Sequence, residues 1–272
     1  MPPREADPPP APEPLPAPAL DSHCHLDHMD APVADTVARA AAVGITRIVQ
    51  VGTDVESSRW SAEVAAEHDA VLAAVAVHPN EAARGGAGPD ALAEIDRLAG
   101  HPRVRAVGET GLDRFRTGPE GYAVQEASFR AHIDIAKRHD KALVIHDRDA
   151  HDDVLRVLAE EGAPERTVFH CFSGDAAMAR TCVEHGYVLS FAGPLTFKNA
   201  AGLRAAAALV PLDHLLVETD APFLTPMPYR GRPNAPYLVP LTIRALAEVK
   251  QVPLEQLCAT LTATGTRVFG RD

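Results

Sequence analysis

From Leu20 onward, short apolar runs alternate with longer stretches whose apolar residues recur every third or fourth position. The short runs predict strands at Leu20 to His23, Ile45 to Val51, Val71 to Val77, Val104 to Val107, Ala142 to Ile145, Thr167 to Phe169, Tyr187 to Phe191 and Leu215 to Val217. The stretches between them predict helices. One runs from Val33 through Ala40 and stops at Gly44, another from Ser57 to His68, and a third from Asp90 to Ala99, with Asp90 as its cap and Gly100 closing it. Tyr122 to His139 follows, with Phe129, Ile133 and Ala136 along one side. Then come Ala150 to Glu161 (stopped by Gly162), a helix ending at Gly186, Asn199 to Leu209, and two or three helices after the last strand. Eight strands separated by helices in about 250 residues predict an α/β fold, a single-domain (β/α)8 TIM barrel over residues 19–272. A doubly wound open sheet would carry a Gly-rich phosphate loop after the first strand, and the sequence has none there.

Residues 1–18 break the rhythm. They hold nine prolines and no apolar segment, which predicts a polyproline-like, mostly disordered and dispensable spacer. They also lack the apolar stretch of a signal peptide.

Composition narrows the class. The chain of 272 residues is 46% hydrophobic, enough for a sizeable core, and has no run of eighteen apolar residues, so no membrane span is expected. Cys24, Cys171, Cys182 and Cys258 form no C-x-x-C pair, and a reduced, cytoplasmic protein is expected. A net charge of −11 argues against wrapping long duplex DNA, which needs a basic face. It leaves room for a few phosphate contacts at a metal-rich pocket.

A barrel of this kind places catalytic groups at the C-terminal ends of its strands. Here the ends carry His23 and His25, His78, Glu109, His146, His170 and Asp220. His23 and His25 are two apart on a strand, so both imidazoles aim at one point, and neutral imidazole is a common metal ligand. Four histidines and two carboxylates exceed the needs of one tetrahedral ion and predict two divalent ions ~3.5–4 Å apart. Zinc or manganese suits the histidines, magnesium the phosphoryl chemistry. A carboxylated lysine is one way to bridge such ions, but the first lysine is Lys137, so the first four strands offer none. Glu109 is therefore the expected bridge. His23 and His25 are assigned to one ion, His146 and His170 to the other. Asp220 is expected to bind an ion and to orient or deprotonate the attacking water.

Other groups are secondary. His78 is read as a substrate contact or as the partner of a turn before Pro79. Arg148 suits a phosphate or carboxylate, or else pairs with Asp147, Asp149 or Asp152. Lys198 and Arg230, on loops after the seventh and eighth strands, are read as further anion guides or as ordinary surface charges. Cys24 and Cys171 adjoin ligands, but alternation turns them away, which predicts buried packing.

The stretches DSHCHLD, VHP, GETGLD, HCFSG, SFAGPLTFKNA and ETDAPFL, spread from Asp21 to about Phe269, together resemble the TatD family of metal-dependent deoxyribonucleases within the amidohydrolase-like barrels. The resemblance implies that His23, His25, Glu109, His146, His170 and Asp220 are metal ligands. It implies hydrolysis of DNA, as single strands or frayed 3′ ends, by 3′-end exonuclease action supported by magnesium or related ions. A different ester hydrolase on the same barrel, such as a D-aminoacyl-tRNA deacylase, is the alternative it leaves. The sequence departs from the family pattern at three places. Asp147 stands where a small hydroxyl residue is usual. Arg230-Gly231-Arg232-Pro233-Asn234-Ala235-Pro236 lacks a glutamate. Thr264 replaces the asparagine of the late N-x-x-R-L-F.

Overall fold

Strands built almost wholly from valine, isoleucine, leucine and alanine leave no face for water, so they must be covered on both sides. In the structure, a computed structural model that describes residues 7–270, that covering is a ring of helices. Among the described residues one sheet holds eight parallel strands in sequential order: β1 (Ala19–Cys24), β2 (Ile45–Val51), β3 (Val71–Val75), β4 (Val104–Asp113), β5 (Ala142–Arg148), β6 (Thr167–Phe169), β7 (Val188–Phe191) and β8 (Leu215–Val217). β8 returns to β1 through an isolated parallel bridge between Cys24 and Ala221, which brings the sheet close to a full ring. This is the expected (β/α)8 barrel. Phe129, Ile133 and Ala136 of the helix Tyr122–Arg138 are buried together against it. No helix of the described residues is long and apolar enough to cross a membrane.

Element ends depart from expectation for local reasons. The helix Val55–Glu67 starts before Ser57, because Asp54 caps it: its carboxylate accepts from the Ser57 amide, and the Ser57 hydroxyl returns the contact. The helix Pro89–Ala99 starts at its proline, so Asp90 lies in the first turn and is not the cap. β4 and β5 run longer than their apolar cores. After a register shift between Val107 and Thr110 they pair again through Gly111–His146, Leu112–Asp147 and Asp113–Arg148. Gly111, at φ +141°, makes that second pairing feasible, since a Cβ there would meet the His146 carbonyl oxygen at 2.1 Å.

The proline-rich segment corrects the sequence reading. Residues 1–6 lie outside the described residues, but 7–18 are laid against the barrel rather than disordered. Leu15 is buried and its amide donates to the Val43 carbonyl at 3.0 Å. Arg232, Tyr237, Arg244 and Thr262 donate to carbonyls of Asp7, Pro8, Pro9, Glu13, Pro14 and Pro18. A polyproline segment has solvated carbonyls and little conformational entropy to lose, so side-chain donors can hold it without an apolar core of its own.

Candidate metal centre

Glu109 is the hub of the site. β4 carries it just past Gly108, to which it is joined by a cis peptide, into the C-terminal mouth of the barrel, where it is 3% exposed. Its two oxygens face different neighbours. Oε2 lies 3.4 Å from His23 Nε2 and 3.8 Å from His25 Nε2. Asp220 Oδ1 completes this side, 3.9 Å from His23 Nε2 and 3.5 Å from His25 Nε2. Oε1 lies 2.6 Å from His146 Nδ1, 2.8 Å from His170 Nε2 and 3.4 Å from His78 Nε2. Three groupings of ligand atoms are tight enough to hold an ion: His23, His25 and Asp220; His23, Glu109 and His170; and His78, Glu109 and His146.

The first side fits a cation on its own terms. Ligands about 2.1 Å from a tetrahedral ion stand roughly 3.4 Å apart, close to the spacing of these four atoms. Both ring nitrogens of His23 are buried without a hydrogen-bond partner among the described residues. A buried polar group left unpaired calls for a missing partner, and a metal ion is one that imidazole accepts. His25 is fixed for the same role: its Nδ1–H donates to the Val51 carbonyl at 3.0 Å, which leaves Nε2 to face the site.

Backbone and buried carboxylates hold the ligands in place. The Asp220 amide donates to the His23 carbonyl at 2.9 Å, and the His25 amide to the Ala221 carbonyl at 2.8 Å. Asp220 itself has φ +54°, a left-handed conformation that costs a non-glycine residue about 1–3 kcal/mol and needs its surroundings to enforce it. Asp21, at 0% exposure, joins β1 to the end of β8: its carboxyl oxygens lie 2.8 Å from the Thr219 amide and 2.5 Å from the Thr219 hydroxyl. Burial pushes Asp21 up to about 8, against the hydrogen bonds from Thr219 and His23. On the other side, Glu218 faces His170 Nδ1 at 3.1 Å and accepts the Cys171 amide at 2.9 Å. Asp113 faces His146 Nε2 at 3.2 Å and is itself held by Asn80 and by the amides of Phe115 and Arg116.

The electrostatics follow from this crowding. Burial pushes Glu109 up, but the charges of His170 and His78 and hydrogen bonds from His146 and His170 outweigh it and hold the carboxyl well below its ordinary range. Burial pushes His25 down, yet Asp220 and Glu109 bring it up to about 9. His170 moves the same way, against burial, because Glu109 and Glu218 flank it. His23 goes down, by burial and by the charge of His170, whose ring stacks on it at 4.0 Å. His25, His146 and His170 are thus shifted toward the protonated form beside Glu109 and His23 and His78 toward the neutral form, a mixed arrangement in which a cation can take the place of protons.

All six expected ligands meet at this point, and His78 joins them. His78 also serves the turn, its Nδ1 accepting the Asn80 amide at 3.1 Å. The expected pairing of His146 with His170 takes a different form: both reach Glu109 Oε1, but His170 also groups with His23, and His146 with His78. Arg148 lines the same cleft, of about 790 Å³. It does not pair with Asp147, whose carboxylate faces His151 Nδ1 at 2.7 Å. The Arg148 guanidinium lies 4.1 Å over the ring of Phe115 and makes no ion pair among the described residues. Arg230 stacks on Phe197 instead, at 4.6 Å. Cys24 is buried as expected, but Cys171 is partly exposed and lines the cleft, because its φ of +42° turns the chain out of strand alternation. Asp113, Glu218 and Asp21 were not singled out from the sequence, although GETGLD, ETDAPFL and DSHCHLD contain them.

The geometry has counterparts in known proteins. The sequence profile of the family described as TatD related DNase matches residues 20–270, leaving residues 7–19 outside it. The chain is 50% identical over 264 residues to the uncharacterized metal-dependent hydrolase TatD of Mycobacterium tuberculosis, covering 92% of this chain and 97% of the relative. It is 38% identical over 253 residues to the uncharacterized metal-dependent hydrolase YabD of Bacillus subtilis, covering 92% and 98%. The crystal structure of YjjV, a TatD homolog from Escherichia coli K12, superposes with a TM-score of 0.87 at 27% identity, covering 93% of this chain and 98% of that one.

Proposed function

Because the chain belongs to the TatD family of metal-dependent hydrolases, we propose that it is a deoxyribonuclease that removes nucleotides from 3′ ends of single-stranded or frayed DNA. The observation that carries a two-ion centre is Glu109, whose oxygens each face a separate set of histidines. His23, His25, Glu109 and Asp220 would hold one ion, and Glu109, His146 and His170 the other, with His78 beside the second. Divalent ions there would supply Lewis-acid polarisation of a phosphoryl oxygen and a low-pKa water.

The protein's own groups do the rest. Asp220 Oδ1 faces the cleft between His23 and His25, placed to accept a proton from an attacking water and to orient it. Arg148 keeps its donors available at the cleft wall, where a bidentate contact to a phosphodiester would fix the scissile group. Phe223, 51% exposed and lining the same cleft with its ring 6.2 Å from that of His25, offers a face on which an unstacked base can rest. Single strands present such bases, and a chain of net charge −11 meets them through these local contacts rather than through a basic surface. The four free cysteines suit a reducing cytoplasm.

The test is an activity screen of metal-stripped protein, reloaded with magnesium, manganese or zinc in turn. The substrates are 3′-labelled single-stranded DNA, blunt duplex DNA and an aminoacyl ester. Release of 3′ mononucleotides from the single strand supports the reading. Cleavage of the aminoacyl ester alone would replace it with a deacylase.

A further inference from the structure

The strap formed by residues 7–18 has two anchorages. Its C-terminal half belongs to the barrel wall: Leu15 packs 3.2 Å from where a Cβ of Gly44 would stand, and Thr262 Oγ1 donates to the Pro18 carbonyl at 2.8 Å. Its N-terminal half reaches a different target. Arg232 donates from Nε and Nη2 to the Asp7 carbonyl, at 2.8 and 2.6 Å, and from Nη2 to the Pro8 carbonyl at 3.0 Å. The Tyr237 hydroxyl donates to the Pro9 carbonyl at 2.6 Å. Tyr237 is a firm post: its ring is buried, and the Arg39 guanidinium lies 4.0 Å over it.

Arg232 and Tyr237 belong to the long connection after β8 that carries Asp220 near its start. From residue 218 to 235 this connection has no helix or strand, only the single bridge at Ala221. Its backbone is held by scattered hydrogen bonds rather than by a ladder, and side chains add to them. Asn234, between the two strap-binding residues, grips both flanks of Asp220: its Nδ2 donates to the Thr219 carbonyl at 2.9 Å and to the Phe223 carbonyl at 2.6 Å. Thr225 Oγ1 donates to the Arg232 carbonyl at 2.5 Å. Hydrogen bonds at either end, joined by the backbone of residues 232–237, therefore link the Asp7, Pro8 and Pro9 carbonyls to the backbone around Asp220. That residue's left-handed conformation persists only while its surroundings enforce it.

We propose that residues 7–9 are a positioning element for the site, acting through Arg232 and Tyr237 on the connection that carries Asp220 and Phe223. The strap touches no ligand or substrate group itself. It shuts the far end of a loop whose near end lies in the metal centre.

Two variants test this. Deleting residues 2–10 removes the N-terminal anchorage and leaves Leu15 in place. Tyr237→Phe keeps the buried ring and removes only the hydroxyl. In both, amides of residues 219–235 should exchange with solvent ~10-fold faster, while β2 to β6 exchange as before. Turnover should fall roughly 3- to 10-fold with KM changed less than about twofold, since the loss falls on the placement of Asp220. Thr262→Ala, which loosens only the other anchorage, should leave residues 219–235 unchanged. The proposal is overturned if exchange or turnover is unaltered in the first two variants. It is equally overturned if exchange rises through β2 to β6 alike, or if Thr262→Ala has the same effect. Exchange is measured without substrate, so a failure of DNA cleavage would leave this result standing.

Discussion

The two sides of Glu109 differ in how ready they are for a cation. On the Oε2 side, His23 and His25 stand 3.4 to 3.9 Å from the Glu109 and Asp220 oxygens, close to the spacing of ligands around one ion. On the Oε1 side, contacts of 2.6 and 2.8 Å are hydrogen bonds from His146 and His170, and these must open before an ion can enter. The difference traces to what fixes the ligands. Strand geometry and backbone hydrogen bonds spread the first set, with His25 turned toward the site by its bond to the Val51 carbonyl. The second set is steered by carboxylates behind it, Asp113 and Glu218, which favour charged imidazoles that close on Glu109. We expect the Oε2 side to load first and both sides to release protons as they load, since His25 on one and His170 on the other are both held above the ordinary imidazole range.

Glu109→Gln should break both sides together. An amide cannot offer two anionic oxygens, so metal content should fall toward zero and turnover by about 10⁴ or more, measured by elemental analysis and single-turnover cleavage. Asp220→Asn should affect one side. It keeps the shape but loses the basic oxygen, so turnover should fall roughly 10²–10⁴ with KM little changed. Calorimetric titration should show the tighter binding step weakened and the weaker one retained. Near-normal turnover with full metal content would make Asp220 purely structural. Glu218→Gln should affect the other side. It leaves His170 Nδ1 without its anionic partner, and the weaker step alone should lose about 10- to 100-fold in affinity.

The smallest expected effect lies behind the Oε1 side, where buried His132 accepts the Val77 amide at 3.0 Å, one residue before His78. Burial lowers its pKa to about 4 from 6.5, so in the folded state it stays neutral where the unfolded chain takes up a proton. Stability is therefore full above about pH 6.5 and declines as pH falls toward 4. This group alone should subtract about 1 kcal/mol between pH 7 and 5.5. Denaturant melts at the two pH values measure it, and a His132→Gln protein should lack this component.

The barrel and the convergence of the expected ligands were legible because both rest on strong periodic signals. Apolar runs mark the strands, and metal-ligand side chains sit where those runs stop. Asp113 escaped because β4 continues past a register shift, so a count from the apolar core ends before it. Glu218 and Asp21 escaped because they face other protein groups, and nothing in their own side chains distinguishes a supporting carboxylate from a ligand. The strap was misjudged for a different reason. Apolar content measures what a segment can bury, but Asp7, Pro8 and Pro9 are held by their carbonyls, which every residue type possesses.

The ring of strands closes where the metal centre sits. β8 is three residues long and meets β1 through one bridge, the Asp220 and His25 amides and the Asp21–Thr219 pair. The seam of the barrel and the frame of the site are thus the same few bonds. Heating should part that seam while the other strands remain paired. Catalysis should therefore be lost several degrees below the transition seen by far-ultraviolet circular dichroism, and be recovered on cooling. Coincident loss of activity and ellipticity would show that the seam melts only with the whole barrel.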